Sequence, residues 1–164
     1  MESSFLGTRM PQGVLGSLSR RVPGQMVEPI ETKGANIKFG FPIVLDTEGV
    51  GVGITSASAT LKPADVYGIC LRQFPVRQTE TGDPDTKLTQ ACLRSGYVYM
   101  QKASTDVTAI KMGMPVFLVV KTAGTHKVLG EVVGTADSTN TIQLDATFMG
   151  DADQNGRIEV AWRI

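Results

Sequence analysis

The chain has 164 residues, with 16 Lys plus Arg against 16 Asp plus Glu, so its formal charge is zero. That length holds one domain with an arm or tail at most, which excludes a large multidomain enzyme, and the balanced charge excludes a strongly basic nucleic-acid or anionic-lipid binder. Gly, Thr and Val supply 18, 17 and 17 residues, a β-branched, turn-rich composition that disfavours long helices and suits short strands.

Residues 1–35 read as an extended N-terminal arm. Gly7, Pro11, Gly13, Gly16, Pro23, Gly24, Pro29 and Gly34 interrupt every helical or strand period, so neither a helix of normal length nor a paired strand is expected there. The arm also carries Phe5, Leu6, Met10, Val14, Leu15, Leu18, Val22, Met26, Val27 and Ile30, too many apolar side chains for a solvated tail. Their cover is expected to be the protein's own sheet, a sister subunit or a different protein.

Residues 36–164 read as a β domain. Strand-like runs fall at 37–45, 49–55, 66–74, 96–102, 115–121, 127–134, 141–144 and 157–164, separated by turn clusters, with a short helix expected near 88–93. Eight short strands at this spacing predict an all-β fold, a β-sandwich or partly open β-barrel preceded by the arm. One internal echo is visible. Ile37-Lys38-Phe39-Gly40-Phe41-Pro42-Ile43-Val44-Leu45 and Ile110-Lys111-Met112-Gly113-Met114-Pro115-Val116-Phe117-Leu118 share Ile, Lys, Gly, Pro and Leu at matching positions. Gly-x-Pro before an apolar run bends the chain and then withholds a donor, as suits the start of a strand, so both copies are placed at equivalent corners; chance convergence is the alternative.

Chemistry-bearing patterns are few. Asp151-Ala152-Asp153-Gln154-Asn155-Gly156 matches the first half of a calcium loop, with Asp151, Asp153 and Asn155 as weak candidate ligands, but Trp162 stands where the bidentate Glu belongs. A polar hairpin tip with an Asn-Gly turn is the favoured reading. His126 is the single histidine and is expected on an exposed hairpin tip, away from Cys70 and Cys92, which read as small buried residues of a reducing compartment. No GxSxG, HExxH, CxxC or phosphate-loop motif occurs, and Asp83 and Asp85 sit in a polar loop without the apolar wall a raised-pKa acid needs. No catalytic residue, metal or cofactor is predicted. Neither an export signal nor an apolar stretch of membrane-spanning length is present, which predicts a protein kept in the cytosol.

Tyr67-Gly68-Ile69-Cys70-Leu71-Arg72-Gln73-Phe74-Pro75, a polar loop, and then Leu93-Arg94-Ser95-Gly96-Tyr97-Val98-Tyr99-Met100 resemble the structural cement (capsid decoration) proteins of tailed bacteriophages. Phe39-Gly40-Phe41-Pro42 and the closing stretch from Asn155 to Ile164 are similar to the same family. The resemblance implies a viral structural protein, not an enzyme, on the exterior of the virion capsid. Such a protein staples major capsid subunits, acts as a homodimer or homotrimer, is assembled in the bacterial cytoplasm, and has no nucleic-acid or membrane partner. Phe5, Leu6, Met10, Leu15, Leu18, Arg20 and Arg21 are then the expected contacts with capsid or sister subunit, the arginines pairing with carboxylates, with Arg72 and Arg94 in second rank. Deleting residues 1–27 is expected to leave a folded domain but to abolish binding to expanded capsids. Two rival readings are a small β-fold nucleotide hydrolase like deoxyuridine triphosphatase, on the Gly96-Tyr97 pair, and a receptor- or carbohydrate-binding β-module of a phage tail, with Tyr67, Tyr97, Tyr99 and Trp162 as stacking faces.

Overall fold

Alternating apolar residues between Gly and Pro turns give ten strands in the computed structural model, which describes residues 13–34, 36–55, 60–72, 89–124, 126 and 128–164. They are β1 Leu18–Arg20, β2 Met26–Glu31, β3 Pro42–Leu45, β4 Gly51–Gly53, β5 Val66–Cys70, β6 Thr89–Gln101, β7 Pro115–Val119, β8 Val132–Val133, β9 Thr141–Phe148 and β10 Arg157–Trp162. A 3₁₀ turn at Pro63–Asp65 precedes β5, and there is no α-helix among the described residues. The strands form one antiparallel sheet in the order β4-β3-β5-β6-β10-β9-β7-β8, curled into a half-barrel, with β1 and β2 also paired to β6. The all-β expectation holds, in its partly open barrel form.

The internal echo marks a repeat larger than itself. In each copy the residue after the glycine donates back across the turn, Phe41 N–H to Lys38 O and Met114 N–H to Lys111 O, both at 3.2 Å. Gly40 and Gly113 have φ of 76° and 85°, a left-handed conformation that glycine adopts without a Cβ penalty. Gly40 donates to Cys70 O and Gly113 to Phe148 O, each at 2.8 Å. The correspondence continues through the neighbouring strands. Pro42 stands opposite Ile69 as Pro115 stands opposite Thr147, Val44 opposite Val52 as Phe117 opposite Val133, and Cys70 opposite Cys92 as Phe148 opposite Val160. Even the single parallel bridges match, Thr32 with Gly51 and Lys102 with Val132.

The chain is therefore two five-stranded units in tandem. The first uses β2, β3, β4, β5 and the start of β6; the second uses the end of β6, then β7, β8, β9 and β10. Their interiors correspond residue by residue: Ile30, Ile37, Ile43, Cys70 and Cys92 in the first, Met100, Ile110, Val116, Phe148 and Val160 in the second. One strand serves both because its register against β2 slips between Met26 and Val27. That bulge adds a residue to β6, so its core-facing positions change from odd (Leu93) to even (Val98, Met100) within the larger cluster. Trp162, fully buried in that cluster, is the largest side chain in it, and burying such a ring contributes on the order of 2–3 kcal/mol.

Three expectations need correction. The helix near 88–93 is instead the start of β6, because β5 on one edge and β2 on the other take its backbone groups. The arm does hold paired strands: β1 and β2 run antiparallel along β6, facing residues 89–98. Pro29 is tolerated there for a specific reason. Ala91 O accepts from Leu71 N–H on the β5 side, so Cys92 and its partner Glu28 face each other, and Pro29 turns its missing donor to the outer edge of β2, where no strand of the described residues pairs with it. Finally, the 127–134 run shortens to a two-residue strand, whereas 96–102 and 141–144 extend to Thr89–Gln101 and Thr141–Phe148.

Candidate interaction surface

The arm enters the described structure through a tight turn. Ser17 N–H donates to Val14 O at 2.9 Å, and the Ser17 hydroxyl donates to the same carbonyl at 2.6 Å. At its apex Gly16, with φ of 72°, touches both units: its N–H donates to Tyr99 O and its carbonyl accepts from Arg72 N–H, each at 2.9 Å. A Cβ on Gly16 would sit 2.8 Å from Gly40 N and 2.9 Å from Phe39 Cβ, so the approach requires glycine.

Beyond the turn, β1 lays polar side chains on the outer face of the second unit. Arg20 holds Glu159 in a two-point contact, Nε to Oε1 at 2.7 Å and Nη2 to Oε2 at 2.9 Å, and lies over the Tyr97 ring. Ser19 Oγ donates to Glu159 Oε1 at 2.6 Å. Burial pushes the Glu159 carboxyl up, but the hydrogen bonds from Arg20 and Ser19 outweigh it and hold the group below its ordinary value. On the first unit, Arg94 stacks on Tyr67 with its guanidinium carbon 3.6 Å from the ring centroid, and Tyr67 OH donates to Glu28 Oε2 at 2.7 Å. Arg72 lies over the Phe39 ring.

Three of the sequence-predicted contact arginines, Arg20, Arg72 and Arg94, thus already have partners within the chain. Arg21 is exposed and has no hydrogen bond or ion pair among the described residues. Leu15 is half-buried and Leu18 exposed; Phe5, Leu6 and Met10 lie outside the described residues. The protein's own sheet covers the arm only in part. Ile30 is buried, yet Val14, Leu18, Met26 and Val27 remain 37–51% exposed. Met26 and Val27 were not singled out as contacts in the sequence. Alternation does not mark them: they are adjacent and both exposed, and Met26 has the parity of buried Ile30, which the register shift between Met26 and Val27 breaks.

The other candidates resolve locally. Asp153 is buried and its Oδ1 accepts from Asn155 N–H at 2.8 Å and Arg157 N–H at 2.9 Å, so this carboxylate shapes the β9–β10 turn. Among the described residues no cluster of three or more His, Cys, Asp or Glu is placed to hold an ion. His126 is not an exposed tip residue: its side chain is 12% accessible and Nε2 lies 3.3 Å from Asp137 Oδ2, because its loop folds back onto the turn before β9. Cys70 and Cys92 are buried opposite one another as free thiols, and burial pushes Cys92 up to about 12 and Cys70 further. Gly96 and Tyr97 lie within β6, not in the turn the hydrolase reading requires. The proposed stacking faces are occupied too: Trp162 is in the core, and Tyr67 and Tyr97 lie under arginines.

Residues 1–163 match the family model described as structural cement protein (E217 gp24/Pam3 gp6). Among solved structures, the fold is similar to a chain of "The capsid of Myoviridae Phage XM1", with a TM-score of 0.67, 15% identity, and coverage of 93% of this chain and 91% of that one. No curated protein matches the chain. Because the family match runs through the arm and both five-stranded units, the chain belongs to the structural cement proteins of bacteriophage capsids.

Proposed function

We propose that this protein binds the outer surface of an expanded phage head and staples neighbouring major capsid subunits. On this reading it acts as a homodimer or homotrimer assembled in the host cytoplasm, catalyses no reaction, and uses neither nucleic acid nor membrane as a partner. The observation that carries the reading is the family match over residues 1–163. The exposed apolar side chains of the arm support it. Val14, Leu18, Met26 and Val27 lie on strands or turns already anchored to β6, so docking them costs little further ordering. Phe5, Leu6, Met10, Leu15 and Arg21 extend this contact surface on the same proposal. Arg20, Arg72 and Arg94 act mainly by holding the surface in shape. Many copies per particle make modest individual contacts durable.

Deleting residues 1–27 is no longer a clean test, since it removes β1 and the start of β2. Sedimentation of the full chain with expanded capsids, beside the variants Leu18→Asp and Met26→Asp, tests the reading instead. The wild type is expected to pellet with capsids and both variants to lose most of that binding while keeping their thermal midpoints. A wild type that stays in the supernatant refutes the proposal.

A further inference from the structure

The two units, so closely matched in register, differ at the turn that the echo marks. In the first, the turn at residues 38–41 is covered. Phe39 is 4% exposed, a Cβ on Gly40 would lie 2.9 Å from Gly16 N, and Arg72 N–H, two residues beyond Cys70, donates to Gly16 O. In the second, the matching turn at residues 111–114 is bare. Met112 is 67% exposed, and none of the described residues lies within 4 Å of a Cβ placed on Gly113. Gly150, two residues beyond Phe148 as Arg72 is beyond Cys70, has no partner for its N–H among the described residues. The backbone frame is the same in both, as the paired hydrogen bonds of Gly40 and Gly113 show. One notch is filled by the chain's own residues 14–17; its twin is open.

We propose that the notch formed by Met112, Gly113 and Gly150 receives a glycine-bearing turn of a capsid subunit, seated as residues 14–17 are seated in the first unit. This rests on the capsid-binding reading above and names the contact that reading lacks. The filled notch defines the chemistry of the occupant. It must offer a backbone carbonyl to the Gly150 N–H, carry no side chain where it passes Gly113, and place an apolar group on Met112. Residues 14–17 of a second copy do not qualify, because each copy already commits them to its own first unit.

Peroxide oxidation of Met112 and amide exchange at Gly150, followed in the full chain with and without expanded capsids stripped of cement protein, test the assignment. Bound protein is expected to oxidise Met112 at least about fivefold more slowly and to exchange the Gly150 amide at least about tenfold more slowly. Met112→Glu is expected to weaken capsid binding about tenfold, with Met112→Leu retaining it. Chain that pellets with capsids while Met112 and Gly150 react at their free rates overturns the notch assignment and leaves the capsid-binding reading standing. Protection that develops without capsids and grows with protein concentration also overturns it, in favour of a second copy. A chain that never pellets removes both.

Discussion

Gly16 donates its amide hydrogen to the carbonyl of Tyr99 at 2.9 Å, and its own carbonyl is taken by Arg72. Through these two bonds one residue of the arm joins the edge of the second unit to the end of β5 in the first. The arm is thus part of the folded body at this point, not an appendage to it.

Gly16→Ala should be far more costly than an ordinary glycine substitution. It combines a left-handed φ of 72° with a Cβ placed 2.8 Å from Gly40 N, and the sum of strain and displaced contacts is about 2–4 kcal/mol. Gly24, with φ of 85° and open space around it, isolates the backbone part, at roughly 1 kcal/mol for Gly24→Ala. Urea denaturation of both variants checks the difference; equal losses would show that the clasp adds nothing.

Stability should decline as pH rises through the window set by Glu131. Burial pushes its carboxyl up to about 7, with Lys38 offsetting only part of that shift. An acid whose folded value lies above its ordinary one binds its proton more tightly in the folded state, so the folded state is favoured at low pH and loses ground between about 4.5 and 7. Because the residue is only partly buried, the loss is about 1–2 kcal/mol. Glu131→Gln is expected to flatten the pH profile of the urea midpoint across that range and to be the more stable protein at pH 8.

Pro29 should act as an edge guard. Its position in the first unit corresponds to Tyr99 in the second, and Tyr99 N–H donates to Ser17 O, pairing β6 with the arm. Pro29 has no such donor on the outer edge of β2, where no strand of the described residues lies beside it and a partner strand would otherwise dock. Replacing it by Val restores the donor beside exposed Met26 and Val27. Pro29→Val is expected to shift sedimentation toward larger species with rising concentration, while Pro29→Gln at matched concentration separates the added donor from added apolar surface.

Much of the domain was legible in the sequence because its strands alternate cleanly. Arg157–Trp162, with Ile158, Val160 and Trp162 inward, is the clearest case. The echo at Lys38 and Lys111 pointed to equivalent corners, but the full repeat was hidden. Val52 matches Val133 and Cys92 matches Val160, with loops of unequal length between, so chain spacing does not register the correspondence. The arm was misread for a physical reason as well. Proline was taken to exclude pairing, whereas Pro29 needs only one bonded edge. The start of β6 was read as a short helix because its partners are not local: β2 and β5, on its two edges, are what make it a strand. Of the contact residues, Arg20 was expected to meet a carboxylate of capsid or sister subunit, whereas within the chain it pairs with Glu159, 139 residues away and invisible to local pattern.

β6 passes from one repeat into the next with no linker between Leu93 and Val98. A pull on either repeat therefore travels along one continuous strand instead of opening a joint. Each half of that strand is flanked on both edges, so rupture must shear several rows of hydrogen bonds together. A tie built this way yields little before it breaks.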